Sequence, residues 1–160
     1  MLSFISASDT ATLSVGNRLA GILRPGTVVA LDGDLGCGKT VISRGIARGM
    51  GITEAVTSPT FTVAQEYATP AGHYLYHLDM YRINDEEGAL AFGIDEFLFN
   101  PDAITLIEWP ERIAGLLNDR RLRTIRFAHK GENLREMTFI GWSDEEEKAL
   151  AEIFRQAQDA

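Results

Sequence analysis

Residues 33–40 read GDLGCGKT (Gly33, Asp34, Leu35, Gly36, Cys37, Gly38, Lys39, Thr40), a full match to G-x-x-x-x-G-K-[ST]. The setting makes the match specific. Residues 27–31 (TVVAL) form a short buried-strand run that leads into the loop, and residues 41–47 (VISRGIA) leave it with helical spacing. Gly36 and Gly38 let the backbone fold into a concave nest whose N–H groups, with the N-terminal end of the following helix, converge on one anion. All eight residues are therefore candidate phosphate contacts. Lys39 is expected to reach the β- and γ-phosphates as a point charge, and the Thr40 hydroxyl to bind Mg²⁺ bridging the same oxygens.

The chain of 160 residues, with a 45% hydrophobic fraction, suits one domain spanning 1–160 with a single core. No apolar stretch reaches bilayer length, and the opening MLSFISASDT lacks the basic start and long apolar core of a secretion signal. A cytoplasmic protein without membrane contact is expected. The lone cysteine, Cys37, excludes an intramolecular disulfide, which agrees with a reducing compartment. Lying near a helix N-terminus, it is in a setting that can lower a thiol pKa, against the plainer role of a compact filler. The net charge of −8 makes the surface as a whole repel polyanions. Arg120, Arg121, Arg123, Arg126, Lys130 and Arg135 cluster in sequence, but no aromatic stacking platforms are interleaved, so a solvated face is expected there.

Working outward from the loop, residues 2–6 read as an edge strand. Ser8 and Asp9 are N-cap candidates for a helix with Val15, Leu19, Ile22 and Leu23 at helical spacing. The first turn of that helix is expected near the nucleotide base, with Ser8 and Thr12 as candidate contacts. Beyond the loop helix, Ser58, Pro59, Thr60 and Phe61 form a polar segment before a strand at 62–67. A loop so placed is a candidate γ-phosphate switch, and equally a proline-fixed turn. A turn at 69–72 predicts a hairpin to a strand at 73–78 that ends on Asp79, followed by Tyr81 and Arg82. Helices are predicted from Asp85 and from Ile94.

The run 103–107 (AITLI) is a buried strand by composition that ends on Glu108 and resembles a Walker B element. Such a strand beside the loop strand delivers a carboxylate to Mg²⁺. Asp79 and Glu108 divide the roles of metal ligand and water orienter in an order left open, while His77 reads as a hydrogen-bonded structural residue. Trp109 reads as core. A short helix at 111–117, a hairpin across 130–133 and a final helix opened by a Ser143–Glu146 capping box complete the chain. The fold class is thus α/β, a single-domain P-loop NTPase with a mixed, mostly parallel central sheet flanked by helices.

Four motifs together, GDLGCGKT, SPTF at 58–61, HLDMYR at 77–82 and LIEWPER at 106–112, resemble the bacterial TsaE (YjeE) family. The resemblance covers about the middle half of the chain, and the N-terminal helix is also similar. It implies a Mg²⁺-dependent ATPase, with ADP as product, that takes part in making the threonylcarbamoyl modification of adenosine in tRNA. In that family TsaB and TsaD transfer the threonylcarbamoyl group and TsaE binds that pair, so tRNA would be met only through the partners. By motif, Lys39 becomes the phosphate lysine, Thr40 and Glu108 the Mg²⁺ groups, 58–61 the switch loop, and Asp79 a support for hydrolysis. Cys37 departs from the alanine common at its place.

Two other readings compete. A small-molecule kinase shares the loop and its strand order, although no arginine-rich lid follows the middle helices. A docking switch would use ATP only to order a binding surface, with incidental hydrolysis. No N-K-x-D motif is present to specify guanine. Arg82 is the candidate arginine finger, and slow turnover by the isolated chain is expected.

Overall fold

The computed structural model describes all residues except 35, 36, 58, 60, 61, 118–120, 159 and 160. One seven-stranded sheet runs in the order β1-β7-β6-β2-β5-β4-β3. Its strands are β1 (Leu2–Ser6), β2 (Val28–Asp32), β3 (Ala64–Ala68), β4 (Tyr74–Asp79), β5 (Ala103–Glu108), β6 (Leu122–His129) and β7 (Arg135–Ile140). The helices are α1 (Asp9–Leu19), α2 (Lys39–Gly49), α3 (Glu86–Phe92), α4 (Ile94–Leu98) and α5 (Asp144–Ala157), with a 3₁₀ helix at Pro110–Leu116.

The middle strands β6, β2, β5 and β4 pair in parallel, whereas β3, β7 and β1 join antiparallel at the two flanks. The expected mixed sheet with a parallel centre is therefore present. Its centre is apolar on both faces. Val29 and Leu31 of β2 join the core beneath α1, α2 and α5, while Val28 and Ala30 join a second core beneath α3, α4 and the 3₁₀ helix. Burial on both sides explains why β2 and β5 read as predominantly hydrophobic runs rather than alternating ones.

Helices α1 and α2 pack with almost no side chain between them. Gly16 and Gly45 face each other so closely that a Cβ on Gly16 would lie 2.6 Å from the Ile42 carbonyl oxygen. This contact fixes α1 against the helix that follows the phosphate loop.

Most expected elements are found, with shifted ends. Helix α1 stops at Leu19, so Ile22 and Leu23 lie in the turn beyond it, where Leu23 still enters the core. Thr62 and Val63 are not part of β3. Val63 has φ 68° and its N–H donates to the Pro59 carbonyl at 2.8 Å, closing a turn before the strand begins. The segment 110–116 winds as 3₁₀ rather than α, with Ile113 at φ −132° breaking it. The capping box is complete, Ser143 accepting from Glu146 N–H and Glu146 from Ser143 N–H. Among the described residues no helix is long and apolar enough to cross a membrane.

Candidate functional site

Parallel register brings the site together. Leu31 pairs with Glu108, and Glu108 with Asp79, so the ends of β2, β5 and β4 form one row. The loop from Gly33 to Gly38 leaves the first of those ends, and ligands of open α/β sheets bind at carboxyl ends of this kind. Two of the loop's glycines, Gly33 and Gly38, are structurally required. Gly38 takes φ 108° as the N-cap of α2, and a Cβ on Gly33 would meet the Phe127 carbonyl oxygen at 2.8 Å and the Cys37 sulfur at 2.9 Å. Leu35 and Gly36 lie outside the described residues.

A cavity of about 650 Å³ opens at this row, within the range of roughly 300–1,000 Å³ usual for small-ligand sites. Lys39, Thr40, Asp79, Glu108, Ser8 and Thr12 all line it. Lys39 is 5% exposed, and among the described residues its ammonium donates to the Gly33 carbonyl at 2.6 Å and stands 4.6 Å from the centre of the Trp109 ring. A cation held this deep against a carbonyl and an aromatic face suits an incoming anion, because phosphate oxygens would supply the charge partner that burial demands. Asp79 accepts from the Tyr81 N–H at 2.8 Å, and its own N–H donates to Val63 at 2.8 Å. Val63, which is hydrogen-bonded to Pro59, is thereby tied to the strand end that carries Asp79. Ser58, Thr60 and Phe61 lie outside the described residues.

On the far wall the Ser6 and Thr12 hydroxyls share a hydrogen bond of 2.7 Å, and Ser8 caps α1 by accepting from Ala11 N–H at 3.0 Å. The donor set at the row of strand ends is a hydroxyl and two carboxylates beside a buried ammonium. Such hard oxygen donors fit Mg²⁺ carried on a nucleotide, since that ion takes one or two carboxylates and draws its remaining ligands from phosphate and water. Among the described residues no cluster of three or more histidine, cysteine, aspartate or glutamate side chains exists to cage a metal without such help.

Residues 6–152 match the family model described as threonylcarbamoyl adenosine biosynthesis protein TsaE. The chain belongs to the TsaE family. Its relatives include the Bacillus subtilis (strain 168) tRNA threonylcarbamoyladenosine biosynthesis protein TsaE, 36% identical over 96% of this chain and 94% of that one. The protein of the same description from Haemophilus influenzae is 43% identical over 68% and 71% of the respective chains. Among solved structures, the crystal structure of Bacillus subtilis YdiB superposes with a TM-score of 0.75 at 30% identity, covering 97% of this chain and 95% of that one.

Three residues of this TsaE-family chain settle or alter points of the sequence reading, and for Cys37 the compact-filler reading is the one that holds. Cys37 is 1% exposed and burial pushes its thiol pKa up, outweighing the lowering by Lys39 and the backbone N–H groups of the helix start. The helix N-terminus does not activate it. Trp109 packs against the second core as expected, and it also forms a wall of the cavity, held at φ 56° with its ring 5.1 Å from that of Tyr81. Arg82 is exposed and is not among the described residues that line the cavity.

Asn133 and Arg135 also reach the cavity, from the β6–β7 hairpin. Sequence reading missed them because Arg135 counted only as one member of a basic cluster. That cluster is otherwise dispersed: Arg123 pairs with Glu146 at 2.7 Å, Arg126 with Asp32 at 3.2 Å, and Arg121 lies over the Phe99 ring. Arg120 is outside the described residues. His77 is a structural, hydrogen-bonded histidine, and its partner is Glu108, at 2.7 Å.

Proposed function

We propose that this chain is the ATP-binding and ATP-hydrolysing component of tRNA N6-threonylcarbamoyladenosine biosynthesis, working in the cytoplasm with TsaD and TsaB and meeting tRNA through them. The observation that carries the reading is the meeting, in one cavity, of Lys39 and Thr40 at the start of α2 with Asp79 and Glu108 at adjacent strand ends, in a TsaE-family chain.

In this reading the whole chain is one P-loop ATPase domain. The backbone of residues 33–40 and the Lys39 ammonium hold the phosphates. Thr40 and Glu108, with Asp79 beside them, hold Mg²⁺, which when bound offsets the negative charge of the triphosphate. Asp79 positions the attacking water, and the β–γ phosphoanhydride bond breaks to leave ADP and phosphate. Ser8 and Thr12 meet the base end of the nucleotide. Residues 58–61 respond to the γ-phosphate through the turn that Val63 ties to Asp79. A net charge of −8 suits a subunit that leaves RNA contact to its partners. Turnover by the chain alone is slow, because Arg82, the candidate finger, is not among the described residues that line the cavity and a partner completes the site.

Calorimetric titration of ATP with Mg²⁺ tests the nucleotide reading. Lys39→Ala removes charge-assisted bonds worth about 1.5–3 kcal/mol, so affinity should fall roughly 10- to 150-fold. A Lys39→Ala protein that binds ATP as tightly as the wild type would refute the assignment of the cavity.

A further inference from the structure

Alternation along β4 puts Leu75, His77 and Asp79 on one face, the face whose Leu75 and neighbouring Leu106 belong to the core beneath α1 and α2. Register pairs His77 with Leu106 and Asp79 with Glu108, so Glu108 stands diagonally one step ahead of His77 on the adjacent strand. His77 is 0% exposed. Its Nε2 lies 2.7 Å from Glu108 Oε2, and among the described residues its Nδ1 has no partner. A carboxylate only accepts, so the ring proton belongs on Nε2 and Nδ1 carries a bare lone pair. Leaving a polar nitrogen unsatisfied in an aliphatic layer is unfavourable, and leucine would pack there without that cost. The single bond to Glu108 is what histidine adds at this position.

We infer that His77 is a positioning residue for Glu108, its Nε2–H holding Oε2 in place so that the carboxylate offers Oε1 to Mg²⁺ in the cavity. The inference rests on the proposed role of Glu108 toward Mg²⁺. Groups that hold a metal ligand from behind fix its orientation, and losing one typically weakens metal affinity about 10- to 100-fold. His77 touches neither nucleotide nor metal in this scheme, so its effect should be confined to the part of nucleotide affinity that depends on the ion.

The test is calorimetric titration of ATP into the full chain, in Mg²⁺ and in EDTA, for wild type and for His77→Leu, His77→Asn, His77→Gln and Glu108→Gln. Thermal unfolding is followed in parallel. In His77→Leu the affinity in EDTA should be unchanged while the gain conferred by Mg²⁺ shrinks about tenfold or more. The Gln variant, whose amide nitrogen reaches as far as Nε2, should keep most of the gain. The Asn variant is too short and should lose it, and this pair carries the same test should the Leu variant fail to fold. If every His77 variant keeps the wild-type gain while Glu108→Gln loses it, His77 is only a packing residue and the inference is overturned. If Glu108→Gln keeps the gain as well, the assignment of Glu108 to Mg²⁺ fails and the inference falls with it.

Discussion

Gly45→Ala sets two opposing effects against each other inside α2. Alanine is favoured over glycine in a helix interior by about 1 kcal/mol, which alone would raise stability. Here, however, the added Cβ would lie 2.6 Å from the Leu13 carbonyl oxygen, 3.1 Å from Gly16 Cα and 3.2 Å from Asn17 N, all backbone atoms of α1. No side-chain rotation relieves that contact, so the two helices must separate. Overpacking of this kind costs about 1–3 kcal/mol, and an all-backbone obstacle argues for the upper end. The expected net loss is about 2 kcal/mol, or a Tm lower by roughly 4–8 °C for a chain of this size. The displacement also has a functional consequence, because Ser8 and Thr12 belong to the wall built on α1 while Lys39 and Thr40 belong to α2. Weaker ATP binding should therefore accompany the lower Tm, read by thermal melts with and without Mg²⁺ and ATP. A variant that melts higher than wild type would show that helix propensity outweighs the contact, and would refute the claim that close packing of α1 on α2 sets the cavity.

Cys37 should react with iodoacetamide far more slowly in the folded chain than in urea, because burial both shields the thiol and pushes its pKa up, shrinking the thiolate fraction at neutral pH. Mass spectrometry of timed samples reads this, and equal rates would contradict it. The raised pKa also means that Cys37 favours the folded state fully below the ordinary thiol range and loses that contribution as pH rises from there through the raised value. The alkaline decline in stability should accordingly be shallower in Cys37→Ala, measured by urea unfolding across that range. Ser143→Ala removes the hydroxyl half of the capping box on α5 and should cost about 1 kcal/mol in the same assay. Burial alone would push the Glu146 carboxyl up, but Ser143 and the Arg123 guanidinium together hold it below its usual range. Stability from that group is present above the ordinary carboxylate range and lost as pH falls through the lowered value, and Arg123→Met, which removes the guanidinium while the Ser143 N–H stays, should blunt this acid-side loss.

What could be read from the chain beforehand was local in origin. The phosphate loop declares itself because its glycines, lysine and threonine are contiguous and flanked by a strand and a helix. Glu108 was legible because a strand buried on both faces has no charged residue until it emerges at the site. Helix α5 was marked by its own cap. What escaped depended on pairings remote in sequence. Asn133 and Arg135 reach the cavity because β7 lies on β6 and β6 on β2, bringing together segments about a hundred residues apart. Trp109 was legible as core packing, but not that the left-handed turn after β5 also sets its ring beside the Lys39 ammonium. For Cys37 the sequence supplied the helix N-terminus but not the depth of burial, and desolvation is the larger of the two effects. The His77 bond to Glu108 needed the β4–β5 register, which no local pattern encodes.

The most direct test of the account is ATP hydrolysis by the purified chain, alone and with TsaB and TsaD, for wild type and Lys39→Ala. Slow turnover alone, stimulation by the two partners and loss of that stimulation in Lys39→Ala are the predicted results. If the partners change nothing, while a small hydroxylated metabolite accelerates ATP consumption and becomes phosphorylated, the chain is a kinase and the account is contradicted.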